Sequence, residues 1–389
     1  GAREQCAPTA ERIIAAWLDA NPEPGKGAAW KVGYAGLRLL NWLVHAPLIL
    51  SGNDGALRTR ILEAIEANAR YLDRQVSRAE DRLAELAGWA AITAAGLLTP
   101  DGKPRRLFGE YGLVTCLGDL VGEDGGVLSR SPICQMEAIE LLVDLVSCYR
   151  AVGREPPHAV ELMLSLLVPP LLGLTHGDGG LGNWQGAGAI PANRIAALVE
   201  ASGIRTRPLR EARQWGYQRV ASRQGVLQFD AAPPPLARHT RHGCASTLAF
   251  EFSYGDTRLI VNCGGAGICG GMVPTRIEKG LRATAAHSAL VLDDASEPFK
   301  KQARGAYEIC LGYSVKYQYF DGFSRSCEEW LAENYKAEFG LIDEFRGAPT
   351  RVNDPLREQA YPLRIGGEPM VSAPTVPVEE QKKQEAASK

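Results

Sequence analysis

The chain has 389 residues, of which 45% are hydrophobic and 23% charged, and a formal net charge of -2; that is the composition of an ordinary soluble globular protein with room for two domains. A balanced charge gives no basic field, so nucleic-acid binding, which depends on clustered Lys and Arg displacing counterions, is not indicated. No apolar run reaches membrane-spanning length, since the longest, 162–174, is interrupted by Pro169-Pro170. Nine cysteines with no CxxC spacing argue against a disulfide framework or a compact zinc knuckle.

The opening GAREQCAPTAERII lacks the charged-then-apolar pattern of a secretion signal. Apolar residues then recur at helical spacing over 10–20, 36–50, 57–76, 82–98, 111–121 and 135–152, separated by breaks at Pro22, Gly52, Pro100 and Gly125-Gly126. Ser131-Pro132 with Glu137 marks a helix start. Helices of this length on short loops pack as antiparallel hairpins. The segment 86–98 is apolar almost all round, which favours a double-layered α/α toroid whose inner helices are covered on both sides.

The helix over 36–50 carries the first chemical candidates. Arg38, Asn41, Trp42 and His45 stand at i, i+3, i+4 and i+7, so they share one face of an otherwise apolar helix. Such a stripe needs partners. Either other protein groups meet it in a core network, or it lines a cleft for a polar ligand in which Trp42 offers a sugar-stacking surface.

Residues 176–188, HGDGGLGNWQGAG, are too glycine-rich for a regular element. They form either a tight interdomain turn with a buried indole, or a loop that approaches a sugar closely with His176 and Trp184 as contacts. Beyond Trp215 the pattern changes to short strands over 217–222, 225–230, 288–293 and 313–320. Between them lies a hairpin. Leu248, Phe250 and Phe252 alternate with polar residues, so the period-two pattern puts them on one buried face, and Tyr254-Gly255-Asp256 turns the chain into a second run, Leu259 to Val261. The predicted domains are a helical toroid over 1–175, a Gly-rich linker and helix over 176–215, a sandwich over 216–352 and a disordered polar tail over 353–389.

The hairpin, with His239 and His242 before it and Ala285-Ala286-His287 after it, resembles the C-terminal sandwich of the heparinase II/III polysaccharide lyases. Arg38-Leu39-Leu40-Asn41-Trp42 resembles that family's helical-domain motif, and Asp124-Gly125-Gly126 with Ser131-Pro132 its DGG and SP turn. The resemblance runs from about 30 to 352 and implies an incomplete α/α toroid followed by an antiparallel β-sandwich, an α+β multidomain protein. It implies a periplasmic or cell-envelope location, an acidic polysaccharide as partner, no membrane insertion, and self-association where the open toroid and sandwich edge leave apolar surface.

Elimination from a uronic acid requires the C5 carboxylate to be neutralised, the C5 proton removed and the leaving oxygen protonated. The residue types this demands are supplied by Arg38 and Asn41 for the carboxylate and by His45 and His242 for proton transfer, and His242 best matches the family's catalytic histidine before the hairpin; Asn41, His45 and His242 are thus the expected catalytic residues, with Arg38, Trp42, His176 and Trp184 as substrate-binding. Two family elements are missing. Where an Asn-His pair opens an inner helix, this chain reads Arg78-Ala79-Glu80-Asp81-Arg82, and where a tyrosine follows the SP it reads Ile133-Cys134-Gln135. The family's sandwich often holds zinc; the matching positions are Cys244, Asn262 and His287, of which Cys and His are competent ligands and the amide a poor one. No cofactor is therefore assigned beyond that possible zinc near Cys244 and His287. The expected function is a polysaccharide lyase cleaving a uronate polymer by β-elimination. The alternative is a catalytically degenerate glycan-binding or exopolysaccharide-handling protein of the same fold.

Overall fold

The computed structural model describes residues 2–289, apart from 189, 213, 237, 241–242 and 266–272, together with 364–365 and 368–369. The strand expected over 313–320 lies outside the described residues, as do 290–293 of the one expected over 288–293, whose first two residues form a turn and a bend. The chain divides into two compact units, Gly1–Thr175 with Ile190–Trp215, and His176–Ala189 with Gly216–Lys389. The stretch 176–215 is thus shared: its glycine-rich half belongs with the sheet and its helix with the other helices.

The first unit is helical: α1 (Ala2–Ala20), α2 (Val32–Val44), α3 (Ala46–Ile49), α4 (Gly55–Gln75), α5 (Arg82–Leu98), α6 (Lys103–Leu120), α7 (Pro132–Ala151), α8 (His158–Gly173) and α9 (Ala192–Ser202). Side-chain caps set two of the starts. Asp54 accepts from the Ala56 and Leu57 amides ahead of α4, and Asp81 from the Ala84 amide ahead of α5. Every residue from Leu86 to Gly96 is buried, in keeping with the all-round apolar pattern of α5.

Glycines let the neighbours of α5 approach it. A Cβ on Gly36 would lie 2.6 Å from the Ala87 carbonyl carbon, and one on Gly112 2.4 Å from the Trp89 ring. Gly36→Ala is therefore expected to cost about 1–3 kcal/mol in denaturant unfolding, because backbone faces backbone there and cannot repack. A variant as stable as the parent would show that α2 can slide on α5.

Pro169-Pro170 was expected to interrupt its apolar run, yet α8 runs through both prolines. The prolines free the Ser165 and Leu166 carbonyls, and neighbouring carbonyls of the helix accept from outside it. The Gln135 amide donates to Leu167 O at 2.8 Å, and Pro169 O accepts from Leu209 N at 3.0 Å.

The second unit holds an antiparallel meander, β1 (Tyr217–Ala221), β2 (Gly225–Asp230), β3 (Phe250–Tyr254) and β4 (Thr257–Ile260), followed by α10 (Thr275–Leu281). Leu248 precedes β3 with φ +67° instead of extending it. The alternation is also inverted: Glu251 and Ser253 are fully buried while Phe250 and Phe252 are half-buried. The glycine-rich segment explains this, because it lays His176 onto the polar face of β3. Within the stretch expected to be a structureless tail, β5 (Arg364–Ile365) pairs antiparallel with β6 (Glu368–Pro369).

Candidate functional site

In the helical unit the predicted stripe separates into two environments. Arg38 is enclosed. Its guanidinium carbon lies 4.2 Å from the Trp17 ring centroid, 4.8 Å from Trp30 and 6.0 Å from Trp42. It donates to Asn68 Oδ1 from Nε at 3.2 Å and Nη2 at 2.6 Å, and to Ala29 O from Nη1 at 2.7 Å. Burial lowers its pKa to about 10. Trp42 is 8% exposed and meets Trp17 edge-on at 5.3 Å. This is a core network and not a sugar-stacking face, because three indoles and an amide occupy the partners that a sugar would need. Asn41 remains exposed, with its amide donating to Leu37 O one turn back. His45 terminates α2, and its charge interacts with Asp144 of α7.

The two positions where the family elements are missing serve the backbone. Asp81 caps α5. Gln135 accepts from Val127 N at 2.8 Å and donates to Gly125 O at 2.7 Å and to Leu167 O, which fixes the DGG turn on α7 and α8. The same turn uses Asp124, which accepts from Gly126 N and Trp215 N, and Gly125, which has φ +81°. Along α7 follow the carboxylates Glu137, Glu140 and Asp144, and the charge of Asp81 acts on Glu137. The carboxyl of Glu137, exposed at its tip but desolvated by its neighbours, is held above its usual range by that desolvation and then by Glu140 and Asp81, that of Asp144 by burial and then by Glu140. Arg194 of α9 reaches Glu140 at 3.4 Å. Sequence spacing could have shown this acidic face, because Glu137, Glu140 and Asp144 stand at i, i+3 and i+7.

In the sheet unit, His176 donates from Nε2 to Glu251 Oε2 at 2.7 Å, and its Nδ1 lies 3.1 Å from Ser253 Oγ, a hydroxyl that also accepts from Gly177 N. Both side chains of the His176–Glu251 pair have zero exposure. Glu251 further accepts from Asn183 N, Asn262 N and Asn262 Nδ2. His176 therefore has no ring nitrogen left for a ligand. Trp184 is equally closed: fully buried, it donates to Gln228 Oε1 at 2.8 Å and packs on Tyr217. Both residues were expected to contact substrate; both hold the glycine-rich loop to the sheet. His242 lies outside the described residues.

The positions matched to a zinc site do not fit the metal. Asn262 donates its amide to Glu251 and accepts from Ser288 N at 3.0 Å, so its oxygen is already engaged. Burial pushes the Cys244 thiol up to about 12 and His287 down to about 4, so the imidazole is neutral, and both of its ring nitrogens are buried without a hydrogen-bond partner; His287 alone keeps the chemistry of a ligand, and one ligand does not make a zinc site. Among the described residues no three His, Cys, Asp or Glu side chains converge. The Glu251–Asn262–Ser288 hydrogen bonds tie the hairpin to the segment after α10.

Comparison with known proteins agrees with this architecture. Residues 204–342 match the family model described as Heparinase II/III-like, C-terminal. FtsZ-localized protein C of Caulobacter vibrioides is 30% identical over 193 residues, covering 49% of this chain and 33% of that protein. Among solved structures, a heparinase III superposes with a TM-score of 0.58 at 12% identity, over 73% of this chain and 50% of that one. A mutant of heparan sulfate lyase HepC from Pedobacter heparinus superposes with a TM-score of 0.51 at 17% identity, over 75% and 50%. The chain spans a third of the curated relative and half of each solved neighbour. The C-terminal region is thus heparinase II/III-like, and the helices-then-antiparallel-sheet build is the fold shared with heparinase III and HepC.

Proposed function

We propose that this chain handles glycan without cleaving it, a catalytically degenerate member of the polysaccharide-lyase fold. The observation that carries this reading is the row of carboxylates Glu137, Glu140 and Asp144 along α7, with the charge of Asp81 acting on Glu137. A lyase needs a neutral amide or a cation beside the uronate carboxylate, so that the C5 proton becomes acidic. At the matching positions this chain places an aspartate that caps a helix and a cysteine followed by a structural glutamine. The cation beside these carboxylates, Arg194, is paired with Glu140, and Arg38 is committed to Asn68 and the tryptophans. Incubation with glycosaminoglycans, alginate and bacterial exopolysaccharides should give binding, yet no rise in the ultraviolet absorbance of unsaturated uronate ends. Sustained growth of that absorbance would restore β-elimination and with it Asn41, His45 and His242 as the groups to mutate.

The raised carboxyls give the binding a pH dependence. Protonation of Glu137 and Asp144 begins at a higher pH than for free carboxylates, and it removes negative charge while the polymer's uronates stay ionised. Affinity for an acidic polysaccharide at fixed ionic strength should therefore rise as the pH falls from neutral. The double variant Glu137→Gln/Asp144→Asn tests this, since it should bind more tightly at neutral pH and flatten the profile. An affinity that stays level in the parent, or a double variant that binds no better, would remove the acidic face from the account.

A second reading rests on the likeness to FtsZ-localized protein C: the chain does its glycan work where FtsZ assembles. A fluorescent fusion imaged with labelled FtsZ tests this directly. The expected envelope or periplasmic address is tested by fractionating the same cells.

A further inference from the structure

One row across the sheet sets a cation, an amide and an anion side by side. Arg219 of β1 pairs with Gln228 of β2, and Gln228 pairs with Glu251 of β3. Directly opposed residues of antiparallel strands point to the same face, so all three lie on the side that the glycine-rich segment covers. Glu251 is saturated there by donors from His176, Asn183 and Asn262. Gln228 is fully buried, and its Oε1 accepts from Trp184 Nε1 at 2.8 Å. A Cβ on Gly182 would lie 2.5 Å from that oxygen, so the loop backbone closes over it. The orientation of the amide is therefore set, and its Nε2 is left as a donor.

Two donors of this row have nothing to donate to. Gln228 Nε2 and Arg219 Nη1 are both buried, and neither meets an acceptor among the described residues. Arg219 is half-buried, and burial lowers its pKa with no described carboxylate acting against it. A desolvated cation without a counter-charge, beside a buried amide without an acceptor, costs stability, and buried groups of this kind are normally satisfied. What is missing is an acceptor. A guanidinium only donates, and the oxygens of Gln228 and Glu251 are taken, so the vacant positions suit neither a cation nor a donor. A small oxyanion is their complement: its oxygens accept from both groups, and its charge offsets the guanidinium. Opposed side chains start about 4.5–5.5 Å apart at Cβ, close enough for one such group to meet both.

We propose that Arg219 and Gln228 form an oxyanion site, which takes a carboxylate or a sulfate group beside the glycine-rich loop. Solvent reaches it from the Arg219 end, where the strand runs outward: Val220 is 65% exposed, and Ala221 is exposed after it. The site rests on the two donors alone. The source of the oxyanion rests on the glycan reading above, since an acidic polysaccharide carries such groups as uronates and sulfate esters. For such a polymer the sheet unit then holds a cation in waiting, whereas Arg38 and Arg194 of the helical unit are already committed. Two donors hold a free ion only weakly, so inorganic sulfate should bind with a Kd of roughly 1 mM.

Equilibrium dialysis of the full chain against labelled inorganic sulfate, with ionic strength fixed by chloride, reads the site directly. The parent should take up a single saturable sulfate per chain. Arg219→Met keeps the stem and removes the charge, and it should weaken that binding at least about tenfold. In chloride alone the same variant should unfold at no lower temperature than the parent, because it removes a cation that has no partner. Gln228→Glu keeps an oxygen for Trp184 and sets a carboxylate beside Arg219, so it should exclude sulfate by standing in its place. Unlabelled glucuronate should displace the label, and neutral glucose should not. Alginate oligomers that displace it assign the site to a glycan; oligomers that leave it bound while glucuronate displaces it keep the oxyanion site and remove the polysaccharide as its source. Sulfate that never saturates, sulfate that binds either variant as it binds the parent, or an Arg219→Met that unfolds well below the parent in chloride would overturn the proposal.

Discussion

Replacing Glu251 by alanine should remove about 3–5 kcal/mol from the stability of the sheet unit, the largest effect expected of any single substitution in it. Its carboxylate has zero exposure and accepts from His176 Nε2, Asn183 N, Asn262 N and Asn262 Nδ2. Those donors come from three separate stretches, so removing the acceptor leaves buried N–H groups unpaired at the start of the glycine-rich loop, in its middle and at the end of the hairpin. Water cannot replace it without opening the loop. Glu251→Gln keeps the volume but turns one acceptor into an NH2 that faces other donors, and about 2–3 kcal/mol should go with it. Urea unfolding measures both, and limited proteolysis should find new cleavage between Gly177 and Gly188 in each variant. A double-mutant cycle with His176→Phe should show coupling of at least about 1 kcal/mol. If Glu251→Ala unfolds within about 1 kcal/mol of the parent and its loop resists protease, the carboxylate is not what holds the loop.

The division of the chain was readable because its causes are local. Apolar residues at helical spacing, Asp54 and Asp81 ahead of their helices, and the change to period-two patterning after Trp215 each act within a few residues. What the side chains do was harder to read, because it depends on partners far away in sequence. The spacing of Arg38, Asn41, Trp42 and His45 placed them on one face, but nothing in 36–50 shows that Trp17 and Asn68 arrive to close over Arg38. Alternation in β3 was read as apolar-in, and the buried face is the polar one, since its cover is the loop that carries His176, 75 residues earlier. Misreadings of this kind fall where a buried polar group borrows a distant partner.

Arg38 gives the second large effect. Arg38→Ala should destabilise the helical unit by about 2–4 kcal/mol, through the cavity left among Trp17, Trp30 and Trp42 and through the loss of both donors to Asn68 Oδ1. One term opposes this: a cation whose pKa burial lowers to about 10 is held at a desolvation cost that alanine removes. The loss should still dominate, because three indoles give up a packing partner at once. Arg38→Lys tests which property matters. A lysine keeps the charge but has neither the planar fork that spans Asn68 and Ala29 nor the flat face that stacks on Trp17. It should recover less than half of the loss. Tryptophan fluorescence should report the change, since Trp17 and Trp30 lie within 5 Å of the guanidinium carbon. The decisive comparison is with ligand. As a core residue Arg38 should lower the unfolding midpoint while leaving glycan affinity, measured on the folded fraction, within about twofold of the parent. A variant that keeps its midpoint and loses its affinity would return Arg38 to a binding cleft and require α1 to move aside from it.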